Sequence, residues 1–122
     1  MKSISIVFTI LLFLVAVGIA HAQVPQEAVK IQYLIISVET MKGAKFLRNG
    51  REYDARAAAD HLRLKLKMAG NSVKTADDFI KLCGARSSLT GEVYRVRLAT
   101  GTVMVTEVFF RNKLKSFTAP KP

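Results

Sequence analysis

The chain has 122 residues, half of them hydrophobic, with 19 Lys and Arg against 9 Asp and Glu, two histidines and a single cysteine. One cysteine excludes an intramolecular disulfide framework, and once His21 is lost with the amino-terminal segment a multi-histidine metal centre within one chain is excluded as well. The formal charge of +10 points to anionic partners without choosing among them, and basic residues spread along a chain also serve plain solubility.

Residues 1–22 have the layout of a secretory signal peptide: Lys2, an apolar and small-residue run over residues 4–20, then Ala20-His21-Ala22, a small-x-small cleavage pattern. The run falls a little short of a comfortable bilayer span and no basic block follows it, so cleavage before Gln23 is expected; an uncleaved anchor is the competing reading. Cleavage removes Lys2 and His21, which takes the formal charge from +10 to +9 and leaves His61 as the one histidine. Residues 23–122 then suffice for a single domain with one core. Export directs the positive charge toward an acidic envelope component or partner protein, and nucleic acid is not an expected partner.

In chain order, Pro25 suits a first helical turn, and Ala28, Ile31, Leu34, Ile35, Val38 and Met41 recur at helical spacing up to Lys42-Gly43. Asn49-Gly50 between short arms predicts a hairpin over residues 46–53, since a type I′ turn needs positive φ at both central residues. Asp54 is placed to cap a helix from Ala55 to Ala69, with an apolar stripe of Ala58, Leu62, Leu66 and Ala69 and with Gly70 as its stop. Thr75 and Asp78 make a capping box for a third helix carrying Phe79, Ile80, Leu82 and Cys83, which Gly84 closes. Cys83 is expected to be buried, with pairing between chains or reactivity as alternatives. Ser87, Ser88, Thr90 and Gly91 mark a loop, and residues 93–98 alternate as a strand with Tyr94, Val96 and Leu98 inward and Arg95 and Arg97 outward. Residues 103–115 fit both a strand and a helix, and a helix is expected; residues 117–122 are expected to fray. The fold class is α+β: a small single domain of three to four helices with a short β-hairpin and one or two further short strands.

Several spaced motifs occur in one order: Phe46-x-Arg48-Asn49-Gly50, Tyr53, Ala58, His61-Leu62-Arg63-x-Lys65, Thr75-Ala76-x-Asp78-Phe79-Ile80, Ser87-Ser88-x-Thr90-Gly91 and Tyr94. This set resembles the YfeK-like family of small exported bacterial proteins, grouped under a domain of unknown function. The match covers residues 46–94, about half of residues 23–122. It implies an exported single domain and carries over no activity, cofactor or catalytic residue.

Two chemistries are open to these residues. A hydrolase would pair His61 with Ser87 or Ser88, oriented by Asp60, Asp77 or Asp78, although no Gly-x-Ser-x-Gly elbow is present. An anion or partner site would draw on Arg48, Asn49, Arg51, Arg63 and Lys65 around the hairpin and its following helix, with Arg95 and Arg97 as surface candidates. For Arg48 the alternative is a pairing with Glu52 across the hairpin, and for His61 a hydrogen bond to a backbone carbonyl at the edge of the buried stripe. Neither glycine-rich phosphate loop occurs, and no cofactor or metal is expected. Binding leads, hydrolysis is the alternative, and self-association through the apolar carboxy-terminal segment is a third reading.

Overall fold

Residues 26–118 are described by a computed structural model, in which helix α1 (Gln26–Glu39) comes first and turns Ile31, Leu34, Ile35 and Val38 into the core. The segment read as a signal peptide, residues 1–22, lies outside the described residues. Helix α1 ends sooner than Gly43. Thr40 Oγ1 donates back to the Ile36 carbonyl at 2.8 Å and the Met41 amide to the Val38 carbonyl at 3.1 Å, which draws the chain out of helical register.

The expected hairpin follows as β1 (Lys45–Arg48) and β2 (Arg51–Tyr53), with Asn49 at φ 50° and Gly50 at φ 76°. Both turn residues are left-handed, which is why asparagine and glycine occupy them. Helix α2 (Ala55–Ala69) begins at the Asp54 cap, whose carboxylate accepts from the Ala57 amide at 2.8 Å, and stops at Gly70, at φ 53°. Its buried residues are Ala59 and Leu62, while Ala58, Leu66 and Ala69 pack half-buried beside them.

The Thr75–Asp78 capping box forms in both directions and opens helix α3 (Ala76–Phe79), which widens into a π turn over Ile80–Gly84. The turn buries Ile80 and Cys83 and leaves Leu82 half outside. Strand β3 (Arg95–Arg97) pairs antiparallel with β1, placing Phe46 beside Val96, and with β4 (Val103–Val105), so the sheet order is β2-β1-β3-β4.

The helix expected over residues 103–115 is corrected by this pairing: its first three residues are strand, and helix α4 (Thr106–Lys115) starts only at Thr106. Periodicity cannot see a strand partner, and here β3 supplies one. A tight turn closed by the Leu98 amide on the Thr102 carbonyl at 2.8 Å brings the partner alongside. Of the tail over residues 117–122 expected to fray, Phe117 packs edge-on to Tyr33 with ring centroids 5.3 Å apart, and residues 119–122 lie outside the described residues.

The core lies between the helices and one face of the sheet. Phe79, Phe110, Leu34, Ile35, Ile80, Val38, Val96 and Cys83 are fully buried there, and each of the larger side chains contributes about 2–3 kcal/mol by leaving water. The sheet's other face carries Leu47, Arg95 and Arg97 and is wet. No described helix is long and apolar enough to cross a membrane.

Candidate functional site

Helix α2 presents a second face beside its core stripe. His61, Leu64, Lys65 and Met68 stand at i, i+3, i+4 and i+7, so all four project toward the hairpin turn and the loop of residues 87–91. Between these three elements lies an open cleft of about 520 Å³ that also takes in Arg48, Asn49, Arg51, Tyr53, Ser87, Ser88, Leu89 and Tyr94. Among the described residues, no aspartate or glutamate lines it.

The floor of the cleft is a chain of polar contacts. Arg48 Nη1 donates to His61 Nδ1, His61 Nε2 stands 3.4 Å from the Tyr94 hydroxyl, and Lys65 Nζ donates to that hydroxyl at 3.2 Å and to the Arg86 carbonyl at 2.9 Å. An arginine has no lone pair to offer, so Nδ1 is the acceptor and the ring proton sits on Nε2. Lys65 likewise only donates. The Tyr94 oxygen therefore accepts twice, and its own proton has no acceptor among the described residues. Burial first, then the Arg48 and Lys65 charges, push the His61 imidazole down to about 4, so it is neutral at physiological pH.

Tyr53 flanks this chain with the Arg48 guanidinium 4.4 Å above its ring, and Arg48 and then Arg51 hold its phenol below the usual value. The Lys65 ammonium sits 5.0 Å from the Tyr94 ring centre. Asn49 ties the hairpin to the loop. Its amide donates to Ser87 Oγ at 3.2 Å and its carbonyl accepts from Thr90 Oγ1 at 2.8 Å. Ser87, 5% exposed, also accepts from the amides of Leu89 and Thr90, both at 3.3 Å. Behind the floor, Arg48, Tyr53, His61 and Tyr94 share a small apolar hollow of about 40 Å³ with Thr106, whose buried Oγ1 has no hydrogen-bond partner among the described residues.

Of the residues singled out in the sequence, Arg48, Asn49, Arg51, His61, Lys65, Ser87 and Ser88 converge on the cleft. Arg63 does not. Two residues from His61 and from Lys65 it points the other way round α2, where it donates to Glu39 at 2.7 Å and Asp60 at 3.2 Å. Arg95 and Arg97 stand on the wet face of the sheet, in a shallow depression shared with Glu52 and Glu92, and Arg97 pairs with Glu52 at 2.7 Å. Glu52 thus takes Arg97, and Arg48 takes His61.

The serine–histidine arrangement finds no geometric support. His61 makes no hydrogen bond to Ser87 or Ser88 among the described residues, and its one basic lone pair is filled by Arg48. The three carboxylates considered as orienters are held elsewhere: Asp60 by Arg63, Asp77 by Lys81 and Arg111, and Asp78 by the amides of Lys74 and Thr75. Among the described residues no group of three or more His, Cys, Asp or Glu is placed to hold a metal ion.

Sequence reasoning missed Tyr53 and Tyr94 as site residues, and with them Leu64, Met68 and Leu89 on the rim. The 61-64-65-68 spacing was a visible signal for two of the rim residues. Nothing local pointed to Leu89, whose place depends on the loop meeting the hairpin.

A small α+β domain with a four-stranded antiparallel sheet and a cationic cleft is the class defined by this fold and site. Residues 25–118 match the family of unknown function DUF5329, and the chain belongs to that family. It is also similar to a protein of Salmonella typhimurium described as uncharacterized protein YfeK, with 35% identity over 68 residues. Those residues are 56% of this chain and 57% of that relative, so the chain spans little more than half the length of the relative it matches. No solved structure matches.

Proposed function

We propose that the protein is an exported, non-enzymatic binding module whose cleft takes an anionic group, a phosphate or a carboxylate, carried by an envelope component. One observation carries this reading: Arg48, Arg51, Lys65 and the Tyr94 hydroxyl converge on a cleft that no carboxylate of the described residues lines. Cations left without acidic neighbours repel one another, and an incoming anion relieves that repulsion while accepting charge-assisted hydrogen bonds. Binding is favoured over hydrolysis because a histidine whose lone pair receives an arginine N–H cannot take a proton from a serine. Export is supported by the composition of residues 1–22, and an amino terminus at Gln23 in the protein recovered outside the cytoplasm, read by mass spectrometry, is the expected result.

The test of the cleft is calorimetric titration with inorganic phosphate and with glycerol phosphate at low and at moderate salt. Saturable binding that weakens as salt rises is expected. Arg51→Gln and Lys65→Gln should each lower affinity about tenfold, the loss of one charge-assisted hydrogen bond. Equal affinity in the parent and the double variant removes the site.

A further inference from the structure

The rim of the cationic cleft is apolar in a way that the cleft's own chemistry does not explain. Leu89 is 94% exposed, Met68 78% and Leu64 54%, and all three border the cleft whose floor holds Arg48, Arg51 and Lys65. Exposed leucines scattered singly need no explanation, but these three line the same cleft as the basic residues. A side chain as exposed as Leu89 also gains nothing from a small anion seated below it. It is covered only by a partner that meets the surface from outside.

We infer that this rim and cleft form a docking surface for an anionic lipid bilayer, with Leu89, Met68 and Leu64 entering the headgroup layer while Arg48, Arg51 and Lys65 hold a lipid phosphate. The inference rests on the anion-binding reading and assigns the anion's source. Leu89 projects from the turn of residues 87–91, and Met68 lies in the last turn of α2, so the three apolar groups are separate protrusions rather than a flat patch. Together they present on the order of a few hundred Å² of apolar surface, well short of the roughly 800 Å² per partner that a stable protein interface buries. Protrusions of that size suit a fluid interface, which closes around each of them. A bilayer also supplies the two chemistries at matching depths, phosphates at the level of the cations and hydrocarbon just beyond. The basic excess of the whole chain draws the domain to such a surface before contact.

The experiment is co-sedimentation of the protein, as the cell matures it, with phosphatidylcholine vesicles containing about one third phosphatidylglycerol and with pure phosphatidylcholine vesicles. The parent should bind the anionic vesicles at least tenfold more tightly. Leu89→Gln combined with Met68→Gln, which removes the apolar surface without adding charge, should weaken that binding about tenfold or more while changing the affinity for soluble glycerol phosphate far less, because neither side chain offers the anion a hydrogen bond. Leu82→Gln, at a residue 48% exposed that does not border the cleft, is the control for lost apolar surface elsewhere and should bind as the parent does. Unchanged thermal midpoints in all three proteins establish that folding is intact.

Vesicle binding that survives the rim double variant, or that falls equally in the Leu82 control, overturns the inference. Glycerol phosphate binding without any preference for anionic vesicles also overturns it and assigns the cleft to a soluble anion, with the binding function intact. Loss of both activities in the parent removes the binding function as well. A protein that sediments as a dimer without lipid, and as a monomer once the rim is changed, gives the rim to a second copy and overturns the bilayer assignment.

Discussion

At the scale of single residues, the hydrogen bond from Arg48 to His61 decides most of the site's chemistry. It fixes the ring proton on Nε2 and aims that proton at Tyr94, while burial, and then the Arg48 and Lys65 charges, make protonation of the ring unfavourable. The sign of the consequence follows from linkage. The His61 value lies at about 4 in the fold against 6.5 for an unperturbed imidazole, so the unfolded chain takes up the extra proton as pH falls. Stability from this residue is full above pH 6.5, declines between 6.5 and 4, and changes no further below. After discounting for part exposure, the loss amounts to about 2 kcal/mol. Urea midpoints measured at pH 7 and pH 4.5 should therefore fall for the parent and stay nearly level for His61→Gln; equal declines in the two proteins would refute the assignment. Glu27, Glu39, Asp77 and Asp78 act in a lower window. Lys30, Arg63, Lys81 and the Lys74 amide, in that order, hold their carboxyls below the usual range, so the stability they add is lost only as the medium becomes more acidic still.

At the scale of elements, local signals placed the hairpin, α2 and β3 well and missed the β4–α4 junction and the π turn. Asn49-Gly50 and the Asp54 and Thr75 caps act through bonds to residues two or three positions away, so the sequence window that contains them also contains their cause. The β4–α4 junction and the π turn have remote causes. Val103, Met104 and Val105 become strand because β3 lies beside them, and the π turn ends where Gly84 meets Phe110. That meeting is close: a Cβ on residue 84 would stand 2.6 Å from the Phe110 ring, which is itself fully buried. Gly84→Ala should therefore cost about 2–3 kcal/mol through overpacking, although alanine is the better helix former. A denaturant midpoint equal to the parent's would show that Phe110 has room to move and would contradict the packing described.

At the scale of the whole molecule, one cysteine among 122 residues means that packing alone holds the described domain together. Cys83 is fully buried in the core with Phe79 and Phe110, and burial pushes its thiol up. Its reactivity is thus a reporter of global opening. In native buffer, labelling by a thiol reagent should be slowed by on the order of a thousandfold or more relative to the protein in urea, since the reagent reaches sulfur only when the core opens. Labelling within a few fold of a free thiol would mean that the π turn opens by itself.

What the sequence determined alone was whatever depends on neighbours along the chain: the α+β class, the type I′ turn, the two capped helix starts, the burial of Cys83 and the concentration of basic residues near the hairpin and α2. Tertiary structure decided which of those basic residues act together. Arg63 and Lys65 are two positions apart and identical in charge, yet the helical turn sends one to Glu39 and the other to Tyr94. Arg97 was a candidate equal to Arg48 until the sheet set it opposite Glu52. A charge becomes part of a site or part of an ion pair according to what the fold brings within about 4 Å of it, and at that distance the partners come from residues far away in the chain.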